Sequence, residues 1–207
     1  MLTSDEYFST LAGLRRDELV VCALGTTCDR WWEHTGGSRE AFYMHGAMGY
    51  SSSLALGLAL AAPELRVWML NTDGGVAMNL GGLLTEASVQ PPNLIHLVYN
   101  NHCYECLGRE PIVNGGATDY AAVAEAAGVT SVYRAGSADS LRASVLAARE
   151  RGGYAFIVAD VTLVSAAEES DFEPPTVLPY EGSEIKYVFG RMVEERVGRP
   201  VFGPQGC

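Results

Sequence analysis

No apolar run in this 207-residue chain reaches the roughly 20 positions that a bilayer-spanning helix requires. The segment from Met1 to Arg16 lacks the basic-then-apolar pattern of a secretory leader, so the expectation is a cytoplasmic protein. Basic charge is scarce, with 14 Lys and Arg against 25 Asp and Glu and a net charge of −11. That balance disfavours nucleic acid as a partner, because phosphate neutralisation needs clustered Lys and Arg. It disfavours a membrane surface on the same ground. It does not exclude a small anionic ligand, since a site can be locally basic. Cysteine is sparse and odd in number: Cys22, Cys28, Cys103, Cys106 and Cys207. Without a leader, five cysteines do not read as a disulfide framework. Cys103 and Cys106 form one CxxC with no second CxxC and no His pair at ligand spacing, which reads as free thiols in a loop. Internal repeats and long low-complexity tracts are also absent.

What is present is an alternation of short apolar runs and helical patterns. Glu18 to Leu24, Phe42 to Met44, Val67 to Leu70, Leu94 to Tyr99, a run from Val132, and Ala155 to Val161 read as strands. Ser4–Arg16, a stretch through Trp31 and Trp32, Ser51–Ala62, Asn79–Val89, Tyr120–Ala127, Ser137–Gly152 and Glu181–Val197 read as helices. Residues 102–118 read as a loop, and Glu168–Pro179 as an acidic, Pro-rich extended tail. The pattern predicts a doubly wound α/β fold: a mostly parallel sheet with helices on both faces, in one domain over residues 1–207. Such sheets bind ligands beyond the carboxyl ends of their strands. Gly25, Gly74-Gly75 and Asn100-Asn101 fall at three of those ends.

Asp73 and Asn101 place a carboxylate and an amide oxygen at two of these ends. Oxygen-only ligation suits a hard cation such as Mg²⁺, which typically completes its shell with water and a ligand's phosphates. Gly74 and Gly75 allow backbone N–H groups to approach those phosphates, and a following helix directs its N-terminus at them. Taken singly, each piece is also an ordinary turn. The two are separated by one helix and one strand. In that spacing they resemble the motif of the thiamine-diphosphate enzymes, Gly-Asp-Gly followed by Asn-Asn. Here Thr72 stands where the family usually has the first Gly.

A second block strengthens the resemblance. Phe42-Tyr-Met-His-Gly-Ala-Met-Gly49, followed by Ser51 to Ala61, resembles the pyrimidine-holding segment of the decarboxylase branch. Further matching stretches are Asp73–Thr85, Val98–Pro111 and Glu184–Tyr187, and the branch is the one acting on sulfopyruvate and phosphonopyruvate. The resemblance implies thiamine diphosphate and Mg²⁺ as cofactors, with the metal held by Asp73, Asn101 and the backbone carbonyl of Cys103. It implies Met48 as the apolar wedge that bends the cofactor, with Gly46, Ala47 and Met48 along the pyrimidine and the Gly46 carbonyl accepting its amino group. A plain core methionine is the other reading of Met48. Gly25, Thr26 and Thr27 match phosphate-binding positions, or else form a turn and helix cap. His45, His102 and Arg109 are candidates to face substrate, Arg109 for an anionic group; the other reading of His45 is a half-buried, hydrogen-bonded histidine, and that of Arg109 a solvated loop charge. Gly108-Arg-Glu-Pro111 departs from the branch's usual Gly-Gly-Gln-Pro, which borders the substrate.

The family activates its cofactor with a Glu from a pyrimidine-binding domain. Only 41 residues precede the block at Phe42, too few for such a domain. The resemblance therefore implies a separate pyrimidine-binding (alpha) subunit that supplies the Glu, in a hetero-oligomer of the α₂β₂ kind, and a small 2-oxoacid as substrate. An acyloin synthase or a 2-oxoacid oxidoreductase subunit is the alternative enzyme; one CxxC is too little for the iron–sulfur clusters of the latter. A cofactor-binding scaffold without turnover is the non-enzyme alternative, against which stand the intact Asp73, Asn101 and Met48. A dinucleotide-binding domain fits least, because GxGxxG is missing.

Overall fold

The computed structural model describes residues 2–163 and 183–203. Its elements in chain order are β1 (Leu2–Thr3), α1 (Ser4–Leu14), β2 (Leu19–Cys22), α2 (Thr26–Thr35), β3 (Ala41–Tyr43), α3 (Ser51–Ala61), β4 (Val67–Thr72), α4 (Asp73–Met78), α5 (Leu80–Val89) and β5 (Leu94–Asn100). There follow β6 (Cys103–Tyr104), β7 (Glu110–Pro111), α6 (Tyr120–Ala126), β8 (Val132–Ala135), α7 (Ala138–Arg151), β9 (Ala155–Thr162) and α8 (Ser183–Val197). The extended tail expected over 168–179 lies outside the described residues, as do the first two positions of the helix expected from Glu181.

Seven strands pair in parallel in the order β3-β2-β4-β5-β9, with β8 and β1 both on β9; β6 and β7 form a separate antiparallel pair. The central strands are apolar at nearly every position because both sheet faces are covered. Alternate residues go to opposite faces. Val20, Cys22, Trp68, Leu70, Leu97 and Ile157 meet α1, α2 and α7 through Tyr7, Phe8, Leu11, Trp31, Leu141 and Val145. Val21, Val67, Met69, Val98 and Phe156 meet α3, α5 and α6 through Ala55, Ala59, Leu83, Ala87 and Tyr120. Helices thus cover both faces, as the doubly wound pattern requires. A third cluster, Leu19, Ala62, Leu65, Phe189, Met192 and Val193, seats α8.

Two of three local features differ from the sequence reading. Asp73-Gly-Gly75 is not a free turn but the first turn of α4, capped by Thr72, whose Oγ1 accepts from the Gly75 N–H at 3.0 Å. The helix expected over Asn79–Val89 forms as α5 from Leu80, with Asn79 as its cap: Asn79 breaks from α4 at φ −141° and accepts from the Gly82 N–H. The loop 102–118 contains the β6–β7 hairpin, closed by a single 3₁₀ turn at Glu105–Leu107.

The register brings the site to one edge of the sheet. β4 lies between β2 and β5, with Cys22 level with Leu70 and Thr72 level with Tyr99. The three turns after β2, β4 and β5 are therefore neighbours.

Candidate cofactor site

Asp73 is fully buried. Its Oδ1 accepts from the Gly74 N–H at 2.9 Å, and its Oδ2 from the His102 N–H at 2.6 Å. The carboxylate of one strand end is therefore bonded to the backbone beyond the next. Burial dominates its titration and pushes its pKa up to about 6, against the lowering effect of those N–H groups. Nearby Tyr120 is pushed up to about 12, first by burial and then by the Asp73 charge.

Asn101, also buried, accepts at Oδ1 from the Cys103 N–H at 3.2 Å and donates from Nδ2 to Glu105 Oε2 at 3.0 Å. Thr26, first residue of α2, donates its hydroxyl to the same Glu105 oxygen at 2.8 Å. These groups line a cleft of only about 20 Å³, together with Leu24, Met48, Thr72, Cys103, Tyr104 and Cys106. Larger cavities beside α8, of about 800 and 560 Å³, share none of these residues and none of their convergent polar groups.

Two glycines are dictated by this geometry. Gly25 has φ +89°, a conformation that strains any side chain, and a Cβ there would meet Cys106 Cβ at 2.8 Å. A Cβ on Gly74 would meet the Tyr104 ring at 2.6 Å. Thr72, by contrast, sits at φ −116° and ψ 159°, open to any residue, so losing the family's usual Gly does not distort the turn.

Of the residues singled out from sequence, Thr26, Met48, Asn101 and Cys103 reach the cleft. Asp73 stands behind it, joined to the same turn. Thr27 is buried one position around the helix and gives its hydroxyl to the Ala23 carbonyl. His45, Gly46 and Ala47 are exposed on the loop before α3, Ala47 at φ +57°. His102 lends its backbone to Asp73, while its ring Nδ1 lies 3.0 Å from the Gly115 carbonyl. Arg109, at φ +64°, lies at the tip of the β6–β7 hairpin and does not line the cleft. Cys103 and Cys106 form no disulfide.

Sequence reasoning passed over Glu105 and Tyr104, which carry no motif, and read Cys106 only as half of a CxxC in a loop. It also passed over the polar chain behind the cofactor turn. There Tyr154 OH donates to Glu86 Oε2 at 2.5 Å, and His96 Nδ1 lies 2.7 Å from the same oxygen. His96 Nε2 lies 3.0 Å from Asn71 Nδ2, and Asn71 Oδ1 accepts from the Thr72 N–H. An amide nitrogen only donates, so Nε2 accepts and Nδ1 carries the proton toward Glu86. Two signals were available: a His inside an all-apolar strand, and a Glu on the buried side of a helix.

A buried Asp and Asn at adjacent strand ends, a helix start whose Thr26 hydroxyl is bonded to Glu105, and two glycine turns come together at one edge of a parallel α/β sheet. The chain belongs to the thiamine pyrophosphate enzymes: their C-terminal TPP binding domain matches residues 26–159. Within that family it is similar to the sulfopyruvate decarboxylase subunit beta of Methanothermobacter thermautotrophicus, at 41% identity over 62% of this chain and 68% of that relative. The subunit beta of Methanococcus maripaludis is 33% identical over 76% of this chain and 83% of that one. The phosphonopyruvate decarboxylase of Streptomyces hygroscopicus is 36% identical over 57% of this chain, and the match spans only 29% of its length. A solved structure from Mycobacterium smegmatis, assigned to the thiamin diphosphate-dependent enzymes, superposes with a TM-score of 0.68 over 79% of this chain and 32% of that one. At 19% identity that likeness establishes the fold.

Proposed function

We propose that this chain, as one PP-type domain, is the cofactor-binding subunit of a two-chain thiamine-diphosphate-dependent decarboxylase. Its substrate is a 2-oxoacid with an anionic tail, of the sulfopyruvate or phosphonopyruvate kind. The observation that carries the reading is the buried Asp73 carboxylate bonded to the backbone of the Asn100-Asn101 turn. The donor set fits Mg²⁺: one carboxylate, the Asn101 amide oxygen and the Cys103 carbonyl are hard oxygen ligands, leaving the other positions to phosphate and water. Among the described residues no three His, Cys, Asp or Glu side chains converge to hold a metal by themselves. A cation here accordingly depends on the ligand's phosphates. Burial that raises the Asp73 pKa is a cost that a bound cation reverses.

Each residue then has a task. Asp73 and Asn101 hold the cation. The Thr26 hydroxyl and the α2 N-terminus, with Gly25, Thr27, Gly74 and Gly75 shaping the backbone around them, face the diphosphate. Met48 supports the organic part of the cofactor, with Gly46 and Ala47 along its edge. His45, His102 and Arg109 belong to the loops at the mouth, where the substrate's anionic end would be met. Bound thiamine diphosphate supplies the electron sink that allows CO₂ to leave. The chain's own contribution is to bind, orient and exclude water.

A separate pyrimidine-binding subunit, supplying the activating Glu, completes the enzyme. Two observations support it. Relatives of similar length are named as subunit beta. And α3 and α5, packed against each other, expose Leu54, Leu80 and Leu84, with Tyr50 and Met78 exposed at the preceding ends, apolar surface of the kind that a partner covers. Among the described residues no helix is long and apolar enough to cross a membrane, and we place the enzyme in the cytoplasm. The test is CO₂ release from sulfopyruvate and phosphonopyruvate with Mg²⁺ and thiamine diphosphate. The mixture with a pyrimidine-binding subunit should turn over and the chain alone should not. Robust turnover by the chain alone would defeat the two-chain reading.

A further inference from the structure

The turn after β6 is seated directly on the phosphate cradle. The Tyr104 ring covers Gly74 and the Cys106 side chain covers Gly25, each so closely that a Cβ below would fall within 3 Å. Between them Glu105 Oε2 accepts from the Thr26 hydroxyl at 2.8 Å and from Asn101 Nδ2 at 3.0 Å. An anionic oxygen held by two donors at the start of a ten-residue helix is in the position a phosphate oxygen would take. The cleft that remains, about 20 Å³, has room for about one water molecule. A diphosphate does not fit beside this carboxylate, and like charges at such separation repel strongly in a partly buried site.

We propose that Glu105 is an internal anion that occupies the diphosphate cradle of the cofactor-free chain, and that cofactor loading requires it to withdraw. The inference rests on the cofactor-binding reading above. The turn is a compact unit with sharp backbone reversals at both ends. It is bounded by His102 at φ +62° on one side and by Gly108 at +80° and Arg109 at +64° on the other, where the backbone reverses within one or two residues. Only the fraction of molecules with Glu105 withdrawn is competent to bind, so the apparent affinity is reduced by that fraction. Glu105 is in this sense an affinity-setting residue whose effect is opposite to that of a ligand.

The experiment is calorimetric titration of thiamine diphosphate with Mg²⁺ into the full chain, as wild type, Glu105→Gln and Glu105→Ala, with thermal melts confirming that each variant is folded. Gln keeps the size and removes the charge. Losing one charge-assisted competitor should tighten binding by about tenfold in both variants. Wild-type binding with equal or weaker binding by the variants would overturn the role of Glu105 and leave the cofactor site standing. Absence of binding by all three would overturn the cofactor reading and this inference with it.

Discussion

The backbone N–H of His102 donates to Asp73 Oδ2 at 2.6 Å across 29 residues of chain. This single bond ties the end of β4 to the turn beyond β5, and it holds a fully buried carboxylate in the one place where two strand ends and a helix start converge. The Glu86–His96–Asn71 chain steadies the same turn from below, through the Thr72 N–H.

The buried Asp73 gives the cofactor-free chain a pH dependence with a definite sign. Its carboxyl is raised from 3.8 to about 6 in the folded state. The folded chain therefore binds more protons than the unfolded chain between those values, and its contribution to stability falls as pH rises through that window. The full penalty above the window is roughly 3 kcal/mol. Thermal melts of the cofactor-free wild type should show this decline, and Asp73→Asn should flatten it. An unchanged slope in the variant would assign the dependence to other groups.

Tyr154→Phe removes one of the donors to the buried Glu86 carboxylate, whose Oε1 has no partner among the described residues. A lost hydrogen bond to a buried charge costs about 1.5–3 kcal/mol. Urea unfolding should register that loss with an unchanged m-value. Wild-type stability in the variant would mean that the hydroxyl is not bonded to Glu86 in solution.

Much of this fold is legible in sequence because its strands are buried on both faces. Val67–Thr72 and Leu94–Asn100 are apolar runs between turn signals, and the helices between them leave few topologies open. Asp73 and Asn101 stand out because each ends such a strand. Other features had no local signal. Leu2–Thr3 is too short for any period, and its pairing depends on β9, far along the chain. The break at Asn79 depends on its side chain, which both caps α5 and donates to the Gly49 carbonyl. Thr26 and Thr27 look equivalent in sequence; one helical step, about 100°, sends one to the cleft and the other to the core. Glu105 is invisible as a motif, because its role comes from a turn folded back onto two glycines.

The central claim is that Asp73 and Asn101 grip a metal that anchors a diphosphate. Calorimetric titration of thiamine diphosphate into wild type and Asp73→Ala, with and without Mg²⁺, tests it most directly. The wild type should bind in a Mg²⁺-dependent manner and the variant should show no Mg²⁺-dependent binding. Equal affinity in the two proteins, or wild-type binding indifferent to Mg²⁺, would contradict it.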